Sequence, residues 1–302
     1  DQAQSVVDLL EDRMRGCGVE IETATKIIKM ERDGCFVVWA TDGRRFEGER
    51  VILASGGMSL ARLGADRTGM DMAVASGHRL TPLEPGLVPL VSPEKYLARL
   101  QGVKLRAEVS FASAGGRRIS DTDDLLIAKY GVSGFTILNL SARLVPQLRG
   151  GPVELRVNLF PNQSPEAISE KLQQRWVRHP HRTLALSFAG VLSAKLVRPL
   201  LRHWGYDLER PVGKIDKKTR WHLAQQLTSW PISVSGPRPF DYAEVTIGGI
   251  NTADINPDTM ESHLVPGLYF AGEMVDIHAD LGGFNFQWAW ASGVMAGRRH
   301  GS

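Results

Sequence analysis

Cysteine is scarce in this 302-residue chain: Cys17 and Cys35 are the whole complement. They are not spaced as C-x-x-C, and two cysteines cannot staple a chain of this size. The scarcity argues against a disulfide scaffold and dithiol redox chemistry, and a reducing, cytoplasmic setting is expected. Long apolar runs are missing too. None approaches the roughly 20 residues that a membrane helix requires, and the opening DQAQSVVDLLEDRMRG mixes acids and bases as secretory signals do not. No membrane partner is expected. Charge of one sign is likewise not in excess. Lys and Arg number 36 against 33 Asp and Glu, and this net of +3 makes no case for a nucleic-acid partner. The sequence also lacks an initiating Met, as a chain cut from something longer would, and it contains no G-x-G-x-x-G.

What is present reads as globular: 43% hydrophobic and 23% charged residues, on a length that suits two domains. Val6, Leu9, Leu10 and Met14 recur at helical spacing up to Gly16 and Gly18. The period then shortens. Val19 with Ile21, Ile27 to Met30 and Phe36 to Ala40 read as short strands, and Thr41-Asp42-Gly43 as a turn. Arg50 to Ala54 is a buried strand that ends in Ser55-Gly56-Gly57. Two proline-rich stretches follow, TPLEPGLVPLVSP and WPISVSGPRP. Proline clusters interrupt regular elements, so a pair of them suggests that the chain crosses into an inserted domain and returns. Between them lie strand-like pieces at 104–111 and 153–159, and helix-like pieces at 165–178, 192–204 and 217–228.

Two constellations carry chemistry. The C-terminal one runs Gly267-Leu268-Tyr269-Phe270-Ala271-Gly272-Glu273, then Asp276, then Leu281-Gly282-Gly283-Phe284-Asn285-Phe286, into a helix of small residues. It reads as strand, Gly-Glu turn, glycine pair and helix. The glycines admit a ligand against bare backbone, and the helix start aims free N–H groups at an anionic or electron-rich edge. A reduced flavin carries such charge at its N1/C2 region. The second constellation is Val51-Ile52-Leu53-Ala54-Ser55-Gly56-Gly57, a strand ending where backbone can run beside a cofactor.

With VILASGGMS at 51–59, GADRTGMDMAVASGH at 64–78, PGLVPL at 85–90, KYGVSGF at 129–135, TIGGINTADINPDTMES at 246–262 and LVPGLYFAGEMVD…LGGFNFQWAWASG at 264–293, the chain resembles the BaiN-like family of bacterial NAD(P)/FAD-dependent oxidoreductases, which includes enzymes labelled aminoacetone oxidase. The resemblance implies an α/β fold: a Rossmann-like FAD-binding domain, incomplete at its N-terminus, interrupted by an inserted α+β domain with a β-barrel part. The expected division is 1–84 and 239–302 for the FAD domain and 85–238 for the insert. By position, Ile27 would meet the adenine end through its backbone, and Ala54, Ser55, Gly56 and Gly57 would line the middle of FAD. Gly272, Glu273 and Asp276 would sit by the ribityl and pyrophosphate region. Gly282, Gly283, Phe284, Asn285 and Phe286 would face the isoalloxazine. Ala279, Phe284 and Phe135 stand where the family usually has Gly, Tyr and Pro. The family's opening βαβ unit with G-x-G-x-x-G is the main thing missing, so truncation, supply of that unit by another chain, self-association and loss of FAD binding all stay open.

Other groups read more plainly. His179 and His181 form a solvated basic loop, and Asp121, Asp123 and Asp124 an acidic helix start; no metal site is expected. His278, between the Gly-Glu turn and the glycine pair, is either a loop residue or a proton donor near flavin. Lys214 to Arg220 reads as a solvated face. The expected function is hydride transfer between FAD and a small organic substrate, a conjugated enone or a small amine, with NAD(P)H as partner. The rival is a non-catalytic component unable to hold FAD alone. Nucleic-acid binding through the basic insert is the weakest reading.

Overall fold

The computed structural model describes residues 3–298. Helix α1 (Ala3–Gly16) opens the chain, and none of its apolar residues is buried. The strand expected at Val19 and Ile21 does not form: residues 19–26 lie in no strand, and the Val19 N–H donates back to the Met14 carbonyl at 3.0 Å. Strands β1 (Ile27–Asp33), β2 (Cys35–Ala40) and β3 (Arg45–Gly48) make an antiparallel meander turning at Gly34 and Gly43, both at positive φ. Next come β4 (Val51–Leu53) and α2 (Thr68–Ala75).

Residues 84–237 contribute β5 (Glu84–Gly86), β6 (Leu90–Val91), β7 (Lys104–Ala112), β8 (Arg118–Ala128) and β9 (Gly131–Ser133), then α3 (Phe135–Leu144) and β10 (Val153–Asn158). Four helices follow: α4 (Pro165–Arg178), α5 (Leu184–Ser187), α6 (Ala194–His203) and α7 (Lys217–Thr228). Ser164 and Asp216 cap α4 and α7 by accepting the Ala167 and Thr219 N–H groups. Strands β11 (Trp230–Val234) and β12 (Gly236–Pro237) lead out, and β13 (Val245–Ile247), β14 (Leu268–Phe270) and α8 (Phe284–Gly297) complete the chain.

Seven strands form one antiparallel sheet in the order β11-β10-β7-β8-β9-β6-β12. Its two edge strands are consecutive in the chain, parted only by Ser235, so the sheet curls until its edges meet at one bend. No ladder joins β11 to β12, so the expected β-barrel part is a sheet that hydrogen bonding does not close. The second proline stretch is therefore not an interruption, since Pro231 and Pro237 lie inside edge strands. There a missing N–H costs nothing. The acidic trio is a second correction: Asp121, Asp123 and Asp124 sit in β8, not at a helix start, and Asp124 pairs with Lys104 at 2.8 Å.

The chain enters and leaves this region side by side. β5 pairs with β13 (Pro85↔Thr246) and β6 with β12 (Leu90↔Pro237). Two apolar cores result. One gathers Val88, Leu125, Ile137, Leu200 and Trp230, the other Phe36, Leu53, Met70, Phe270 and Met274. Burial at this density is the main favourable term, about 25 cal/mol per Å² of apolar surface.

Candidate functional site

β4 and β14 run parallel, Val51↔Leu268 to Leu53↔Phe270, so their C-terminal ends release two loops at the same edge. This is where open α/β sheets bind ligands. Ala54 to Gly57 leave β4; Ala271, Gly272 and Glu273 leave β14, tied back by Ala271 N–H donating to the Leu53 carbonyl at 3.1 Å. Glu273 clasps the two loops. Its carboxylate accepts the Gly57 N–H at 3.2 Å and the Thr246 N–H. Burial pushes this carboxyl above the ordinary carboxylate range, against the lowering pull of those donors. Thr246 continues the clasp by accepting the Met58 N–H at 2.7 Å.

Glycine is required here for two different reasons. At Gly57 a Cβ would stand 2.4 Å from Thr246 Oγ1 and 2.8 Å from Glu273 Cδ, so the backbone is pressed against protein. At Gly56 (φ +78°) and Gly283 (φ +88°) a Cβ would meet nothing within 4 Å. At those two it is the left-handed backbone, not crowding, that requires glycine.

Gly283 is also the N-cap residue of α8, which has no side-chain cap. The first-turn N–H groups of a helix have no partner within it and carry its positive end. The strand-facing side of α8 is anchored twice: Ser292 Oγ accepts the Gly272 N–H at 2.8 Å, and Trp288 Nε1 donates to the Gly272 carbonyl at 3.0 Å. The loop before it is folded onto Asn285, whose side chain accepts from Ala279 N–H at 2.9 Å and donates to the Ala279 carbonyl at 3.0 Å. Ala279 has no left-handed φ, so the alanine fits there without strain.

The region between the proline stretches also reaches this loop. Asn139, on α3, accepts the Leu281 N–H at 3.1 Å and donates to Asp121 Oδ2 at 3.1 Å. Arg143, one turn further, pairs with Asp280 at 3.5 Å. Between them a hollow of about 300 Å³ opens, lined by Ala142, Arg143, His278, Ala279, Asp280 and Phe284. A larger hollow of about 890 Å³ on the seven-stranded sheet includes none of these residues.

The sequence-predicted residues thus gather unevenly. Ala54, Ser55, Gly56, Gly57, Gly272 and Glu273 meet at one sheet edge. Gly282, Gly283, Phe284, Asn285 and Phe286 form the loop and first turn that lean on Gly272 through Trp288 and Ser292. Asp276 lies between, its N–H bound to the Ile250 carbonyl at 3.0 Å. Ile27 stands apart on the meander, paired with Ala40; its neighbour Lys26 reaches Asp66 at 2.5 Å. Asn139, Arg143, Thr246 and Ser292 were not singled out from sequence. Their part depends on contacts across 18 to 188 residues, which no local pattern signals. Among the described residues no His, Cys, Asp or Glu cluster could hold a metal ion.

Comparison with known proteins agrees with this architecture. The model of the HI0933-like protein Rossmann domain matches residues 1–299. The chain belongs to that family. This HI0933-like chain is 34% identical to a 3-dehydro-bile acid delta(4,6)-reductase of Clostridium scindens, over 99% of the chain and 73% of that protein. It is 31% identical to a ribosomal RNA dihydrouridine synthase of Escherichia coli, over 97% and 70%. A ribosomal RNA dihydrouridine synthase of Haemophilus influenzae is 30% identical, over 96% and 71%. The HI0933-like chain is accordingly an α/β enzyme of oxidoreductase type. No helix among its described residues is long and apolar enough to cross a membrane.

Proposed function

We propose that the chain is an FAD-dependent reductase of a carbon–carbon double bond conjugated to a carbonyl, with NAD(P)H as electron donor. The observation that carries this reading is that β4 and β14 release the Gly56 and Gly272 loops at one sheet edge, with the uncapped α8 tied to Gly272 through Trp288 and Ser292. The free N–H groups at that helix start suit an electron-rich edge such as a flavin's. Ala54 to Gly57 would hold the middle of FAD, Gly272, Glu273 and Asp276 its ribityl and pyrophosphate region, and residues 282–286 the isoalloxazine. Ile27 would meet the adenine end. Bound FAD supplies hydride at its N5.

The chain's own residues do the rest. The α8 start favours negative charge at the N1/C2 edge, lowering the cost of the reduced state. In the hollow beside it, Arg143 is a fixed cation able to polarise the carbonyl of a substrate, and the His278 imidazole can deliver the proton that completes the addition. The relatives' names support this substrate class. One denotes reduction at positions 4 and 6 of a 3-oxo steroid, the other formation of dihydrouridine from uridine. Both saturate a double bond conjugated to a carbonyl, which is the ground for preferring such a substrate here over a small amine.

The test is a visible absorption spectrum of the chain after incubation with FAD and desalting, followed by anaerobic NADPH. A retained flavin band that bleaches with NADPH supports the proposal; a colourless protein sinks it for this chain alone. One observation favours a second reading, in which FAD is held only when a further βαβ unit, in cis or from another chain, covers this edge. Phe286, Trp290 and Val294 form an i, i+4, i+8 stripe on α8 that is 71%, 51% and 58% exposed. Under that reading flavin retention appears only when the unit is supplied.

A further inference from the structure

Side chains alternate along the strands of the seven-stranded sheet, one row inward and the next outward. The row of Val109, Val157 and Trp230 faces the core. The next row crosses four strands on the opposite face. Ser120 on β8 stands opposite Ser110 on β7, Ser110 opposite Arg156 on β10, and Arg156 opposite Pro231 on β11. At about 4.8 Å between strands, this row is roughly 14 Å long. Ser110 and Arg156 line a hollow of about 890 Å³, bordered on its far side by residues 162–165. A second hollow of about 400 Å³ adjoins it at Arg156 and Ser229 and is walled by Pro231 and Trp204. Together they make one groove across the outer face of the sheet.

Outward rows of an antiparallel sheet are ordinarily solvated. Ser110 is not. It is 4% exposed, and its hydroxyl lines the hollow with no hydrogen-bond partner among the described residues. A buried hydroxyl left unpaired is uncommon in a folded chain. The Asn162 amide and the Ser229 hydroxyl, on the same lining, also have no partner among the described residues. The charged groups show the reverse. Arg118 pairs with Glu108 at 2.7 Å and Arg156 with Glu154 at 2.5 Å, and no other charged side chain lines the larger hollow.

This combination selects among ligands. A phosphate backbone needs free cations, and both arginines here are already paired. An extended peptide adds to a sheet through a free strand edge, whereas β10, β7 and β8 beneath this face are paired on both sides. What fits is a ligand without charge whose groups donate and accept at once. Ring hydroxyls do both, and the C–H face of a sugar ring suits the flat surface of an indole such as Trp204. We propose that this groove binds an uncharged oligosaccharide, its hydroxyls meeting Ser110, Asn162 and Ser229 and one ring lying on Trp204. The groove shares no residue with the reductase site, and the proposal does not depend on that reading.

The test exposes the full chain to immobilised neutral oligosaccharides: glucans of α and β linkage, mannans, galactans, xylans and chitin fragments. The sugar retained best is then titrated by calorimetry. At least one should bind with a dissociation constant of about 1 mM or tighter. Its affinity should be unchanged between about 0.05 and 0.5 M salt, because no charge is screened. Ser110→Ala should weaken binding roughly three- to tenfold, the worth of one hydrogen bond, with an unchanged melting temperature. Asn162→Gly, which suits the left-handed φ of +64° at that position, should do the same. Retention of no neutral sugar would overturn the proposal. So would undiminished binding by both variants, or a preference for heparin or a single-stranded oligonucleotide that disappears at high salt.

Discussion

Gly283→Val should abolish flavin retention. The left-handed φ of +88° costs an L-residue about 1–2 kcal/mol by itself, and the branch would enter the open space assigned to the isoalloxazine. A variant that kept its absorption band after desalting would move the ring elsewhere. Gly57→Ala acts differently. Its Cβ would collide with Thr246 and Glu273, so roughly 1–3 kcal/mol of stability should be lost in urea denaturation, with or without FAD. His78 offers a pH prediction. Its ring is buried, with Nε2 on Ser262 Oγ at 2.7 Å and Nδ1 on the Ala73 carbonyl at 3.0 Å, and burial holds its pKa below the ordinary 6.5. The unfolded chain therefore binds the proton more readily. Stability present above pH 6.5 should fall as pH drops below it, and His78→Gln should flatten that part of the Tm-against-pH curve.

At the scale of elements, the site depends on α3 holding the loop that precedes α8. Asn139→Ala removes the acceptor of the Leu281 N–H and the donor to Asp121 together. Loosening a loop that must place a reacting ring should lower kcat by on the order of tenfold, while the flavin band persists. Equal loss of flavin and rate would make Asn139 a merely structural residue. These partnerships explain how far the sequence could be read. The strand-glycine segments at 51–57 and 267–286 were legible because glycine and short apolar runs announce themselves locally. Asn139, Thr246 and Ser292 were not, since an asparagine or a serine in a helix looks the same whether it faces water or a distant N–H. The acidic trio in β8 was misread for a related reason: Asp121, Asp123 and Asp124 are poor strand formers, and pairing with β7 and the Lys104 contact override that preference.

For the whole molecule, we propose that residues 85–238 form one unit and 1–84 with 239–302 the other, because the chain enters and leaves the first side by side and each encloses its own apolar core. The excised 85–238 segment should then show a cooperative thermal melt by circular dichroism; a gradual, non-cooperative loss would deny it. The exposed stripe of Phe286, Trp290 and Val294 should make the chain self-associate in sedimentation, and Trp290→Glu should weaken that association.

By itself the sequence determined the family-specific strand, glycine and helix segments. These depend on backbone conformation and on apolar periodicity, which are encoded within a few neighbouring residues. Only the tertiary structure decided that Glu273 clasps the two loops, that α3 reaches across to the site, and that β11 and β12 stand at opposite edges of one sheet. It also decided that Arg118 and Arg156 meet Glu108 and Glu154 along one groove. Net charge is a sum over the chain, whereas a partner meets one face of it, and only folding assigns each charge to a face.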